Sequence, residues 1–257
     1  MIEKLKTLLW FSKRINYWRH ALALVARKFY VNKDTYTLRF KATEWASNQY
    51  VSVEEALISI GLSKKNTKIE YLSKSLIKEA QELAKNSKVV MGGAGDLDLL
   101  FSASKLSGAN KALETGVAYG WSSLAILESI SSSNNAKLIS IDMPYPKMNN
   151  EDFVGIVVPK SLKAKWSLIR EPDRNGIKKA LKKFGGTIDF CHYDSDKSYY
   201  GRRYAYPILW KALKNKGVFI SDDIQDNFAF KEFVEEQNLN YSITKSEEKY
   251  IGIIYKD

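Results

Sequence analysis

Between residues 4 and 29 apolar side chains recur in alternating steps of three and four, at Leu8, Phe11, Ile15, Trp18, Leu22, Val25 and Phe29. Lys6, Lys13, Arg14, Arg19, Arg27 and Lys28 fall off that stripe. Steps of this size keep one face of a helix apolar, so the spacing predicts a basic amphipathic helix. Arg14, Arg19 and His20 interrupt any compact apolar block and no small-residue cleavage site is present, so the segment reads as retained rather than as a secretory leader. Three uses are open to its stripe: packing on the body or on a second subunit, lying on an anionic membrane surface, or covering a substrate.

From Asn32 to about Met91 the helical period continues. Ser52-Val53-Glu54-Glu55 has capping-box spacing, and the stretch from Tyr71 to Ala84 carries Leu72, Leu76, Ile77, Ala80 and Leu83 at helical intervals. The chain therefore divides into residues 1–91, a basic helix and helical cap, and residues 92–257, a second domain. In the second part helical segments alternate with β-rich runs at 111–114, 137–142, 166–170, 188–194, 217–222, 241–244 and 250–255. Such alternation predicts an α/β, doubly wound, mostly parallel seven-stranded sheet with helices on both faces. The last two runs leave no room for a helix between them and predict an antiparallel hairpin at the C-terminal edge.

Composition narrows the class. With 257 residues, 45% of them hydrophobic and 27% charged, the chain can bury a sizeable core, and no uncharged apolar stretch approaches the roughly 18 residues of a spanning helix. Cys191 is the single cysteine, so there is no intramolecular disulfide; with two histidines it cannot complete a zinc cage of the usual soft ligands. A reducing, cytoplasmic setting is expected, peripheral at a membrane if the basic helix binds one. The net charge of +11 would suggest nucleic acid, but residues 1–41 hold ten Lys and Arg against two acids, a net of +8, and the rest of the chain only +3. A near-neutral body argues against a nucleic-acid partner.

The run at 111–114 ends in Glu114-Thr115-Gly116-Val117-Ala118-Tyr119-Gly120-Trp121-Ser122 and leads into a helix. A strand, a glycine turn and a helix N-terminus let a ligand approach the backbone with amides aimed at an anionic group, while Glu114 suits a cationic ammonium. The glycines could also serve tight packing alone. Asp142 ends the next run, where an acid can hold a ribose diol. Beyond 166–170, Asp173 lies in a loop rich in Asp and Asn. Asp194 ends one later run and Asp222 and Asp223 another, so adjacent parallel strands would deliver three carboxylates to one edge. Acids so placed repel one another unless a cation lies between them, and oxygen ligands suit Mg²⁺ or a similar divalent ion; helix capping is the plainer use of each one alone.

These features resemble the class I S-adenosylmethionine-dependent methyltransferases, whose first motif is E-x-G-x-x-x-G and whose second strand ends in Asp or Glu. The stretch from about Gly92 to Phe233 is similar to their metal-assisted O-methyltransferase branch, read in Asp194-Ser195-Asp196-Lys197-Ser198-Tyr199 and in Asp222-Asp223. The resemblance implies a Rossmann-like fold and S-adenosylmethionine as cofactor. Gly116 and Gly120 would then frame the methionine part, Ser122 contact its carboxylate, Glu114 support the ammonium directly or through water, Asp142 hold the ribose and Asp173 the adenine amine. It further implies a divalent cation on Asp194, Asp222 and Asp223, and a small-molecule or sugar hydroxyl as acceptor. Many relatives have His where this chain has Lys197, which leaves the general base open between Lys197, Asp196 and neither; the preference here is Lys197, its pKa lowered near the metal, with Asp196 behind it. His192 shares a strand face with Asp194 and reads first as a packed neighbour. An RNA-binding protein or RNA methyltransferase, and a non-catalytic membrane-surface protein retaining the fold, are the alternatives; a homodimer is a further expectation.

Overall fold

The computed structural model of the chain describes residues 9–144 and 149–256. Eight strands form one sheet: β1 (Tyr50–Val51), β2 (Lys111–Thr115), β3 (Lys137–Ile141), β4 (Trp166–Ile169), β5 (Ile188–Tyr193), β6 (Leu213–Ser221), β7 (Tyr241–Ser246) and β8 (Lys249–Tyr255). Their order is β1-β7-β8-β6-β5-β2-β3-β4. Neighbours are parallel except around β8, which runs antiparallel to both β6 and β7. The seven runs read from the sequence are β2 to β8, and the expected closing hairpin is β7-β8. The expectation of seven strands is corrected by β1, which pairs Tyr50 with Ile243 and Val51 with Thr244. Two residues are too few to carry a period-2 pattern, so only the partner strand reveals them.

The helices are α1 (Trp18–Ala26), α2 (Tyr36–Ser47), α3 (Val53–Ser59), α4 (Lys74–Lys85), α5 (Leu97–Leu106), α6 (Trp121–Ser129), α7 (Asp173–Lys183), α8 (Tyr199–Ala212) and α9 (Ala229–Glu236). The capping box forms at the start of α3: Ser52 Oγ accepts from the Glu55 amide at 3.2 Å, and Glu55 Oε2 accepts from the Ser52 amide at 3.1 Å. Strand alternation divides the core into two layers. Ala112, Leu138, Val218 and Ile220 pack toward α5 and α6, while Leu113, Ile139, Ile141 and Phe219 pack toward α7, α8 and α9. Because both faces are covered, β5 is buried along nearly its whole length.

The N-terminal segment departs from expectation. It is not one helix: residues 9–12 are helical, the helix breaks at Lys13 and Arg14, and a short turn at Ile15–Tyr17 leads into α1. Leu8 of the stripe and Lys6 beside it lie outside the described residues. Phe11 is half-buried against Tyr17 and His20, but the stripe from Ile15 onward does not pack on the body. Ile15 and Phe29 are 83% and 84% exposed, and Trp18, Leu22 and Val25 are exposed with them. The body is met by Tyr17, His20 and Arg27. Among the described residues no helix is long and apolar enough to cross a membrane.

Candidate active site

Chain order along the sheet reverses between β2 and β5, and a cleft of about 730 Å³ lies at the carboxyl ends of these strands. Gly116 begins the turn after β2 at φ 82°. Its amide donates to the Ile141 carbonyl at 2.8 Å, and a Cβ there would stand 2.1 Å from the Asp194 carbonyl oxygen. The turn and the exit of β5 are thus in backbone contact that only glycine permits. Gly120, at φ 91°, is the N-cap of α6 and does not itself border the cleft; a Cβ there would meet Gly155 Cα at 2.9 Å. No side chain caps α6 and no acid lies in its first turn, which borders the cleft through Trp121 and Ser122. This end of α6 has the unsatisfied amides and positive dipole that favour an anionic group.

Asp142 borders the cleft beside that turn. Its Oδ1 accepts from the Val117 amide at 3.0 Å, and its Oδ2 is ion-paired with Arg170 at the end of β4. Burial outweighs the Arg170 charge and raises its carboxyl above the usual range. Glu114 does not reach the cleft. It is fully buried below it, accepting from Ser123 Oγ at 2.5 Å and Ser140 Oγ at 2.6 Å. Its side chain leaves β2 on the α6 face, so the ammonium role expected of it is not available by direct contact. Asp173, the first residue of α7, borders the cleft, but its Oδ2 accepts from Ser195 Oγ at 2.5 Å and from the Tyr193 hydroxyl at 3.3 Å. Burial pushes that carboxyl up to about 6.

At the ends of β5 and β6 the structure brings Asp194, Lys197, Asp222 and Asp223 together. Lys197 Nζ lies 3.0 Å from Asp194 Oδ1 and is ion-paired with Asp223 Oδ2. Burial disfavours this ammonium, but the two carboxylates outweigh it and hold the Lys197 pKa above its ordinary value. The expectation of a lysine made basic by a lowered pKa is therefore corrected: Lys197 is a held cation. Burial and the charge of Asp222 push Asp194 up to about 6. Burial also works against the charged Asp223, but Lys197 keeps its carboxyl below the usual range. Asp222 turns inward, with Oδ1 at 3.2 Å from His192 Nε2, and His192 Nδ1 lies 3.5 Å from Glu114 Oε1. Burial would neutralise this histidine, yet the two acids outweigh it and push it up to about 10. His192 thus lies buried between Asp222 and Glu114, in surroundings that favour its charged form.

Among the described residues no group of three or more His, Cys, Asp or Glu side chains is gathered as a metal ion requires. Two carboxylates of the expected trio share Lys197 and the third is held by His192, so the arrangement does not offer a divalent ion an open position. Asp196 borders the cleft as well, held by other partners: Arg27 Nη2 donates to its Oδ2 at 2.5 Å and Ser198 Oγ to its Oδ1 at 2.7 Å. Burial raises this carboxyl, but these two partners outweigh it and hold it below the usual range.

Arg27, Arg170 and Arg202 were not read from the sequence as site residues. Arg202 is fully buried and donates to the carbonyls of Asp222 at 3.0 Å and Asp223 at 2.8 Å, fixing the bend on which both acids sit. Asp223 takes a left-handed φ of 51° there. His20 and Leu24 of α1 border the cleft as well. Only Arg170 left a signal, as a basic residue one position past a strand whose neighbour ends in an acid.

Residues 113–224 match the family described as Methyltransferase domain. No curated protein sequence shows detectable similarity to the chain. Among solved structures, an O-methyltransferase from Bacillus cereus in complex with S-adenosylhomocysteine aligns over 80% of this chain and 100% of its own, at 13% identity and a TM-score of 0.57. The O-methyltransferase TomG from Streptomyces achromogenes, in complex with S-adenosylmethionine and involved in tomaymycin synthesis, aligns over 80% and 100% at 14% identity and a TM-score of 0.54. A methyltransferase of Podospora anserina bound to S-adenosylhomocysteine aligns over 75% and 92% at 15% identity and a TM-score of 0.51. Residues 113–224 thus carry a methyltransferase domain, and the chain around them has a fold similar to that of these methyltransferase structures.

Proposed function

We propose that the chain transfers the methyl group of S-adenosylmethionine to a hydroxyl oxygen of a small molecule or sugar. The observation that carries this reading is that one cleft holds both halves of such a reaction. The Gly116 turn, Ser122 and Asp142 lie at the ends of β2 and β3, and Asp194, Lys197 and Asp222 at the ends of β5 and β6. Two of the structural neighbours are O-methyltransferases, which supports oxygen as the acceptor atom. In the transfer the hydroxyl oxygen attacks the methyl carbon, the carbon–sulfur bond breaks, and the sulfonium becomes a neutral thioether. Asp194 takes the hydroxyl proton and Lys197 faces the negative charge growing on oxygen. A ribose diol at Asp142 shares that carboxylate with Arg170 or displaces it.

The metal-assisted form of this proposal differs in one respect. A divalent ion on Asp194, Asp222 and Asp223 would compete with the Lys197 ammonium for two of the same carboxylates, so Lys197 would have to move aside. Turnover measured with added Mg²⁺ and after chelation separates the two forms. For the proposal as a whole, calorimetry should show binding of both S-adenosylmethionine and S-adenosylhomocysteine. Incubation with methyl-labelled cofactor and a small-molecule extract should place the label in an ether linkage. No binding of either cofactor, or label only in RNA or on nitrogen, would overturn it.

A further inference from the structure

We infer that the outer face of the N-terminal segment seats on an anionic lipid bilayer and holds the mouth of the cleft at the membrane surface. Ile15, Trp18, Leu22, Val25 and Phe29 form an exposed apolar stripe, and Tyr30, Val31, Tyr36 and Phe40 continue it as exposed apolar and aromatic residues. This stripe cannot turn inward, because the other side of the segment is already engaged. The Tyr17 hydroxyl donates to the Arg170 carbonyl at 2.8 Å, Arg27 Nη1 donates to Ser198 Oγ at 2.8 Å, and the Tyr200 hydroxyl donates to the Val31 carbonyl at 3.0 Å. With that register set, nothing among the described residues covers the apolar face, which is left to an external partner.

Charge decides which partner. Residues 1–41 carry a net of +8, and Lys13, Arg19, Lys28, Arg39 and Lys41 are exposed on the same segment. A second copy packed through this face would bring another +8 against the first, whereas anionic headgroups attract it while the acyl boundary receives the apolar side chains. An apolar and aromatic face flanked by Lys and Arg is the pattern of a helix that lies in the interface plane. One helix then joins two surfaces: Leu22 and Val25 point to the lipid, and His20 and Leu24 wall the cleft. An acceptor entering past His20 and Leu24 does so at the bilayer surface.

The full-length protein, floated with vesicles of phosphatidylglycerol in phosphatidylcholine, should bind at low salt, and binding should fall about tenfold or more on pure phosphatidylcholine or in high salt. Trp18→Glu with Phe29→Glu should lose vesicle binding by about tenfold or more while keeping S-adenosylhomocysteine affinity, which also shows that the variant is folded. No binding at low salt, or a double variant that binds as well as the parent, would overturn the inference. So would a dimer in light scattering that the double variant separates, since the face would then belong to a second copy.

Discussion

The floor of the cleft is built from strand ends whose backbone has no alternative path, whereas its roof is a helical segment resting on that floor through a few side chains. On the floor, Gly116 touches the Asp194 carbonyl, the Asp222 amide donates to the Tyr193 carbonyl at 3.0 Å, and buried Arg202 ties down the bend at Asp222 and Asp223. On the roof, Arg27 reaches Asp196, Tyr17 reaches the Arg170 carbonyl, and Asp34 accepts from the Tyr199 amide at 2.8 Å. Floor groups are placed before any ligand arrives, as charge stabilisation in a reaction requires. The roof can be lifted without rebuilding the sheet. Chemistry should therefore fail when the floor is altered, and access when the roof is.

The largest effect is expected at His192, which lies between Glu114 and Asp222 with no route to solvent. His192→Leu leaves two buried carboxylates without their cation, and breaking a buried pair in this way costs about 3–5 kcal/mol. Thermal unfolding should show it as a large fall in Tm. The pH dependence has a definite sign. The histidine pKa is raised from 6.5 to about 10 in the fold, so its contribution is complete below its unfolded value and is lost as pH rises toward the folded one. The parent protein should lose stability between roughly pH 7 and 10, a loss absent from the variant. A parent Tm flat across that range would show that His192 is neutral and that the floor is held otherwise.

Next comes Lys197. Lys197→Met removes the held cation and should lower kcat by about 10²–10³, the range for losing one preorganised charge-stabilising donor, with S-adenosylhomocysteine affinity unchanged by calorimetry. Chelation should leave the parent rate intact. A parent rate that needs Mg²⁺ would instead establish the metal-assisted form. Gly116→Ala tests the backbone of the floor. The added Cβ meets a carbonyl oxygen rather than a flexible side chain, in a left-handed conformation. Displacing the turn or the β5 exit by even ~1 Å should weaken S-adenosylhomocysteine binding about 10²-fold. Unchanged affinity would mean that the floor gives way more easily than its contacts imply.

This contrast also explains what was legible in the sequence. β2 to β8 showed themselves because strands with one or both faces buried keep an apolar rhythm, and acids at strand ends stand out against it. Direction was harder: Glu114 lies two residues before Gly116, where the turn begins, and nothing in its neighbours shows that it faces α6 and His192 rather than the cleft. The composition around Lys197 showed a lysine among acids, but whether burial or the acids wins depends on distances of about 3 Å that spacing does not encode. On the roof, the stripe from Phe11 to Phe29 announced an apolar face without saying what it meets. The inward partner of that segment, Arg27 with Asp196, spans 169 residues of sequence.

The smallest expected effect bears most directly on the separation of roof from floor. Arg27 and Asp196 are 15% and 22% exposed, so solvent screens the pair only in part, and a charge-assisted contact of this kind contributes about 1 kcal/mol. Arg27→Ala should leave Asp196 in place, because Ser198 and the turn before α8 still hold it. S-adenosylhomocysteine affinity and Tm should then change little, while acceptor KM rises severalfold. Hydrogen exchange should quicken across residues 15–31 and stay constant in β2 and β5, since local opening follows the contacts that close it. If exchange in β5 quickens as well, the ion pair is part of the floor, and the two regions are one cooperative unit rather than a rigid site with a separable cover.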